Sequence, residues 1–369
     1  MNSLVINKED LRHNINVIKE YSKKNNNSNY EIIAVVKGNG YGLGLQEYTK
    51  FLIDNGIEFF AVATVEEVIE IRKSGFTGKL LMLSSTCIPE DISILIENNT
   101  ILTIGSEESA KLVNKIALKK GKVVNVHLKI DTGFGRYGFI YSDVTVIINT
   151  LKSLENINIT GTYSHFSRAY YKKDNWTQKQ FERFNNTVKE LNKNNINTGI
   201  LHICNSPAFL NFKNMHLDAA RIGSAFLGRV ALEENVGLKK IGFLKSIVTE
   251  IKTLPKDFNV GYLNLYKTKN LTDIAIVPIG YEAGFNIGNK NDMFRKIDTF
   301  RDIIGNVKNI FKKRENRVEI NEKYYSIIGK IGMYHIDVDI TNSNVKINDT
   351  VYLNVNPMYV DSKIRREYI

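Results

Sequence analysis

One lysine ends an apolar run in AVVKGNGYGLG, Ala34 to Gly44, and four glycines follow it at alternate positions. A lysine so placed can anchor a carbonyl compound covalently or act as a base. The order of residues differs from a P-loop, in which the glycines precede the lysine and Ser or Thr follows it. Other polar residues follow apolar runs in the same way. Asp131, Thr132 and Arg136 come after VNVHLKI, and His165 ends INITGTYSH. Asn205 and Ser206 come after GILHIC, and Arg221, Gly223 and Ser224 lie in ARIGSAF. Glycine and serine after the last two runs would let backbone N–H groups and a hydroxyl approach a phosphate. None of the six histidines has metal-ligand spacing. A lysine, a phosphate site and no metal cluster suggest pyridoxal phosphate held as a Schiff base. Each residue alone also has a structural reading. A strand-end lysine is usually a solvated terminus, and a histidine after a strand is usually a satisfied hydrogen-bonder.

The elements that must position these residues are eight apolar runs: EIIAVVK (31–37), FFAVATV (59–65), KLLMLSS (79–85), ILTIG (101–105), VNVHLKI (124–130), INITGTYSH (157–165), GILHIC (199–204) and LDAAR (217–221). Helical patterns separate them. Thr64 to Glu67 reads as a capping box, and Gly75 stops the helix that it starts. After Ser106, Leu112, Val113, Ile116 and Ala117 share a face that ends at Gly121. Phe181, Phe184, Val188 and Leu191 form another stripe, and Leu11, Ile15 and Ile18 one more ahead of the first strand. Eight strands alternating with helices predict an α/β fold, a (β/α)8 TIM-type barrel over residues 1–238. Barrel sites lie at the C-terminal strand ends, where the polar residues above recur. A doubly wound sheet would have fewer strands and a GxGxxG turn after the first. From about Phe243 the runs switch to two-residue alternation, which predicts a mainly β C-terminal domain over 239–369. A basic helical insertion at about 289–315 interrupts it.

The bulk properties are those of an ordinary globular chain: 369 residues, 43% hydrophobic and 24% charged. The start has no apolar signal-peptide core, and no run is long enough to span a membrane. Two distant cysteines, Cys87 and Cys204, fit free thiols in a reducing cytoplasm. The net charge of +11 is spread along the chain. It reads as a lysine-rich solvated surface, with no nucleic-acid motif and no membrane partner.

The residues in these motifs resemble the alanine racemase family of barrel-type pyridoxal-phosphate enzymes. AVVKGNGYGLG is similar to AVVKANAYGHG, and KIDTGFGRYGF to KxDTGMGRLGF. YSHFS resembles THFA, HICNSPA resembles HxANSAA, and ARIGSAFLG resembles VRPGIALYG. VGYLNLY is similar to VSYGATY, VPIGYEAG to PIGYADG, and GKIGMYHIDVDIT to GRVCMDQxxVDVT. The closing KIRREY more weakly echoes RxPRxY. The resemblance implies an amino-acid racemase that interconverts L- and D-alanine by a two-base mechanism. Lys37 would carry the cofactor and act as one base. Tyr262, contributed by the other subunit of a homodimer with shared active sites, would be the second. His165 and Arg221 would form a relay that tunes Tyr262, with Arg221 at the pyridine nitrogen. Arg136 would position the phenolic oxygen and the substrate carboxylate. Lys129 matches a position that is often carbamylated. Tyr41, Ser206, Gly223 and Ser224 would bind the phosphate, and Asn205 would also bind the cofactor. Met333 and Tyr281 would line the substrate entrance. Gly38 and Gly40 are expected to keep space open beside the cofactor.

The chain departs from the family pattern at Leu43, Gly332 and Tyr334, which replace His, Cys and Asp. An ungapped count from KIRREY puts Asn354 where the family has a pocket-shaping tyrosine. A smaller polar residue there would leave room for a hydroxyl, so a serine or broad-specificity racemase is the alternative. A barrel-type decarboxylase is a further rival, but its phosphate site carries a Gly-Gly-Gly run and this chain has no GG pair.

Overall fold

The computed structural model describes residues 2–27, 29–173, 175–230, 232, 235–288, 303–304 and 316–369. The chain divides into two compact units. One is Lys8–Ile241, and the other joins Met1–Asn7 to Gly242–Ile369. The expected basic helix at 289–315 lies outside the described residues, apart from Ile303 and Ile304.

The first strand, β1 (Ser3–Ile6), belongs to the second unit rather than to the barrel. Every residue of this short run is buried. The helix over Lys8–Asn25 then buries Leu11, Ile15 and Ile18, as their spacing predicts. The barrel strands follow: β2 (Glu31–Val35), β3 (Phe59–Val62), β4 (Lys79–Ser85), β5 (Ile101–Ile104) and β6 (Val124–Asp131). A two-residue strand, β7 (Phe139–Ile140), attaches to the end of β6. The remaining barrel strands are β8 (Ile157–Tyr163), β9 (Ile200–Asn205) and β10 (Ala219–Ile222). They pair in parallel in the order β5-β4-β3-β2-β10-β9-β8-β6, and a β5–β6 pairing closes the ring. A closed parallel ring of eight strands with intervening helices is a TIM-type barrel.

The barrel interior is divided. On one side Ile33, Val35, Phe59, Ala61, Leu81 and Ala219 form an apolar cluster. On the other, Thr103, His127, Lys129, Tyr163, His202 and Arg221 are buried polar residues. Interiors of this fold are ordinarily packed with branched apolar side chains. Buried polar groups are retained where partners satisfy them, so the polar side marks the functional half.

The second unit is a nine-stranded sheet. Its other strands are β11 (Phe243–Ile247), β12 (Glu250–Leu254), β15 (Thr272–Val277), β16 (Arg317–Ile320), β17 (Lys323–Ile328), β18 (Ile336–Asp339), β19 (Thr350–Asn354) and β20 (Arg365–Tyr368). The order is β12-β15-β18-β17-β16-β19-β11-β1-β20. All neighbours run antiparallel except β1 and β20. A separate hairpin, β13 (Asn259–Val260) with β14 (Tyr266–Lys267), projects Tyr262 at its tip.

The glycine-rich stretch after β2 makes a left-handed turn. Gly38, Asn39, Gly40 and Tyr41 have φ of 65°, 54°, 63° and 54°. L-residues pay a steric penalty there, and glycine avoids it. The Asn39 side chain accepts the Leu45 N–H at 2.8 Å, which joins the turn to the next helix. A Cβ on Gly38 would meet no protein atom within 4 Å, so within the chain it is the positive φ that calls for glycine. At Gly40 a Cβ would press on Tyr48 at 3.0 Å, so that glycine makes room for the protein's own core. Leu43, the departure in this motif, is fully buried. Gly38→Ala should lower the unfolding free energy by about 1–2 kcal/mol in urea titrations. No loss would contradict the left-handed turn.

Candidate active site at the barrel mouth

A cavity of about 350 Å³ lies among the strand ends and loops of the barrel. Its lining includes Lys37, Tyr41, Lys129, Arg136, His165, Asn205, Ser206, Arg221, Gly223 and Ser224. Ten residues singled out from sequence, on five different strands or the loops after them, therefore meet at one place. Tyr262, Tyr281, Met333 and Asn354 belong to the other unit.

Two residues after β2, Lys37 begins the left-handed turn. Its amine is held below the ordinary lysine range by burial, then by the charges of Arg136 and Arg221, against the opposing pull of Glu67. Glu67, which the sequence places only in a helix cap, reaches this turn. Thr64 and Glu67 do form the capping box. One Glu67 oxygen also accepts the Gly38 N–H at 2.6 Å, and the other accepts the Ala63 N–H at 2.9 Å. One carboxylate thus clamps the lysine turn to the end of β3.

The loop carrying Arg136 is built around Asp131. Its carboxylate accepts the N–H groups of Gly133, Phe134, Gly135 and Arg136 at 2.8–3.1 Å. Burial raises the Asp131 pKa, but the four hydrogen bonds together hold it below the usual carboxylate range. The Arg136 guanidinium lies over the Phe134 ring at 4.6 Å, and Phe134 meets His165 edge-on at 5.1 Å.

Arg221 is 3% exposed, and both of its terminal guanidinium nitrogens make hydrogen bonds. One guanidinium nitrogen donates to His202 Nδ1 at 2.7 Å, and the other donates to Ser164 O at 2.7 Å and to His165 Nδ1 at 3.0 Å. An arginine has no acceptor, so both histidines must accept at Nδ1 and carry their proton on Nε2. His202 Nε2 then donates to His127 Nδ1 at 3.0 Å. Tyr163 stacks on His202 with ring centroids 4.8 Å apart, and its hydroxyl pairs with Thr103 at 2.9 Å. Burial and then the Arg221 charge push all three histidines down, His127 to about 3. His127, His202 and Tyr163 were not singled out as site residues. The HxANSAA-like motif carried a signal for His202, and the YSHFS motif one for Tyr163.

Lys129, 6% exposed, sits over the Tyr163 ring at 5.1 Å and the Tyr137 ring at 5.6 Å. Burial, then Arg221 and Arg136, push its amine down to about 7.

At the corner expected to take a phosphate, the Tyr41 hydroxyl closes on Gly223. A Cβ there would fall 2.5 Å from the Tyr41 oxygen, so only glycine fits. Ser206 Oγ accepts the N–H groups of Gly223 at 3.0 Å and Ala225 at 3.3 Å. The Gly223 N–H, expected to bind phosphate, is therefore committed to the protein. Ser206 keeps its own O–H to donate. Asn205 caps the helix over Ser206–Asn211 and accepts the Ala208 N–H at 3.1 Å. Among the described residues no group of three His, Cys, Asp or Glu side chains is placed to hold a metal ion.

In the second unit, three candidate segments converge. The Tyr281 N–H donates to Gly332 O at 3.1 Å, and the Glu282 N–H to Met333 O at 3.2 Å. A Cβ on Gly261 would lie 3.2 Å from Lys330 N, so the Tyr262 hairpin reaches the same loop. Tyr262, Tyr281 and Met333 are 68%, 45% and 46% exposed. Asn354 ends β19 opposite Phe243 with its side chain exposed.

Comparisons with known proteins bear on this arrangement. The profile of the alanine racemase N-terminal domain matches residues 6–245, and that of the C-terminal domain matches residues 242–364. An alanine racemase of Methanococcus maripaludis is 32% identical over 347 residues, covering 92% of this chain and 85% of that protein. One of Clostridium perfringens is 33% identical over 329 residues, covering 88% and 79%. The solved alanine racemase of Clostridium difficile 630 superposes with a TM-score of 0.83 at 27% identity, covering 100% of this chain and 97% of that one.

The three depressed histidines predict a pH dependence. An unfolded histidine titrates near about 6.5. The folded values are lower, so the unfolded chain binds more protons and stability falls as pH drops through about 6.5. Urea midpoints measured on both sides of that pH should show the fall. An unchanged midpoint would contradict neutral, buried histidines.

Proposed function

The chain belongs to the alanine racemase family, and from that premise we propose that it interconverts L- and D-alanine by moving the α-proton between two bases on opposite faces. The observation that carries the reading is the barrel mouth. An amine with a depressed pKa, a cradle that admits no Cβ, and a buried arginine paired to neutral histidines line one cavity.

The residues there fit pyridoxal 5′-phosphate. The cavity gathers four cationic side chains, Lys37, Lys129, Arg136 and Arg221, which suits a phosphate and a carboxylate. Tyr41, Asn205, Ser206, Gly223 and Ser224 would surround the phosphate. His165 would flank the ring, Arg221 would face the pyridine nitrogen, and Lys37 would bear the aldehyde carbon. When bound, the cofactor supplies an electron sink that acidifies the substrate's α-carbon. Arg221 stays charged and donates only, so that nitrogen remains an acceptor. Arg136 would orient the substrate carboxylate.

Lys37 takes or returns a proton on one face at its Nζ, and its depressed pKa favours the free amine that this requires. On the other face Tyr262 of the partner subunit does the same at its phenol oxygen. His165, fixed by Arg221 with its proton on Nε2, would tune that tyrosine. The open apolar tip of the hairpin, with Leu263 and Leu265 beside Tyr262, supports a homodimer that covers it. Tyr281 and Met333 would line the approach.

Lys129 is poised for carbamylation. Its neutral amine would attack carbon dioxide, form an N–C bond and lose a proton to water. The resulting anion would offset Arg136 and Lys37. Asn354 supports a second reading, a racemase that also takes serine, because a polar side chain of that size could accommodate a hydroxyl. Two free cysteines support a reducing compartment, the cytoplasm. Among the described residues no helix is long and apolar enough to cross a membrane.

Lys37→Ala should abolish the visible absorption that appears when pyridoxal 5′-phosphate is added. Tyr262→Phe should keep it, yet slow α-proton exchange of one alanine enantiomer by about 10²–10⁴-fold more than of the other. Equal loss for both enantiomers would contradict separate bases. A turnover panel with L-alanine and L-serine tests the second reading, and no detectable serine turnover would end it.

A further inference from the structure

Tyr170 also lines the barrel cavity, and neither the family motifs nor the carbonyl chemistry assigns it a role. It lies beyond β8 in the stretch Phe166 to Tyr171, and that stretch is fixed at several points. Gln180, on the helix over Asn175–Lys193, accepts the Ser167 N–H at 3.0 Å and donates to His165 O at 3.2 Å. Trp176 Nε1 donates to Ser167 Oγ at 3.0 Å. Asn205 Nδ2 donates to Phe166 O at 3.4 Å, and Asn211 Nδ2 donates to Ala169 O at 3.1 Å. Asn205 and Asn211 bracket the helix that begins at Ser206. The backbone of Tyr170 is thus tied on one side to the His165 turn and on the other to the phosphate-corner helix. Ala169 beside it is 1% exposed, while Tyr170 itself keeps 47% of its surface open at the cavity rim.

The chemistry at that corner is short of donors. A phosphate presents three strong acceptor oxygens. The Gly223 N–H is held by Ser206 Oγ, which leaves the Ser206 O–H, the Ser224 N–H and the Tyr41 hydroxyl. Of the four cations of the cavity, Lys129 and Arg136 lie on and after β6, and Arg221 on β10 donates to His202, Ser164 and His165. Tyr41 stays protonated, its phenol pushed up to about 12 by burial and by the neighbouring Tyr170. Tyr41 and Tyr170 line the same cavity, together with Ser206, Gly223 and Ser224.

We propose that Tyr170 is a phosphate ligand of the cofactor, donating its hydroxyl beside Tyr41 from a backbone anchored to the Ser206–Asn211 helix. The proposal rests on the cofactor reading above, and its test separates the two. The full chain, freed of cofactor, is titrated with pyridoxal 5′-phosphate and with pyridoxal, which lacks the phosphate, and binding is read by visible absorption. Tyr170→Phe should weaken pyridoxal 5′-phosphate by about tenfold, the scale of one hydrogen bond to a charged group, and leave pyridoxal unchanged. Tyr41→Phe should give the same phosphate-specific loss. Tyr170→Leu, which also removes the ring, should retain the signature if the hydroxyl carries it. Equal weakening of both ligands by Tyr170→Phe would make Tyr170 a structural residue and overturn the proposal, as would no change with either. A wild-type chain that gains no visible absorption with either ligand would overturn the cofactor reading itself, and the proposal with it.

Discussion

Four cationic side chains share one barrel mouth, and much of the site follows from that crowding. Burial, and then the charges of Arg136 and Arg221, depress the amines of Lys37 and Lys129. Glu67 and Asp131 are close, but each is engaged with backbone N–H groups. Such a cluster is stable when the weaker bases give up their protons or when anions arrive. Both outcomes serve the family's reaction. Depressed amines at Lys37 and Lys129 are more readily available as nucleophiles and bases, and the phosphate and carboxylate of the proposed cofactor and substrate are suitable anions.

The polar half of the barrel extends this logic inward. Arg221 cannot lose its proton to any neighbour and cannot accept one. It therefore imposes acceptor roles on His202 and His165, and His202 imposes one on His127. The chain of imposed tautomers ends among buried aromatic rings, where protonation is disfavoured. Buried polar networks of this kind specify geometry when every member is satisfied. The rigid result holds His165 at the mouth with a known proton position.

Local sequence patterns made the barrel legible. Eight apolar runs appear as eight strands, because a strand buried on both faces reads as a continuous apolar stretch. The Thr64–Glu67 capping box was legible for the same reason, since all its partners lie within one turn. β1 was not legible, because four apolar residues ahead of a helix carry no period of their own; their burial depends on pairing with β11 and β20 across more than half the chain. The reach of Glu67 to Gly38, and of His202 to His127, likewise depends on barrel closure and register. The left-handed backbone of the glycines after Lys37 was not legible either. Their positive φ angles, rather than any nearby atom, explain Gly38. Leu43 has a plain account as a core residue.

The central claim is that burial and crowding hold the Lys37 amine below the ordinary lysine range. Borohydride trapping of pyridoxal on Lys37, followed against pH and located by peptide mass spectrometry, reads that amine directly. The account predicts a midpoint well below the ordinary lysine value of about 10.4. A midpoint at or above that value would contradict it.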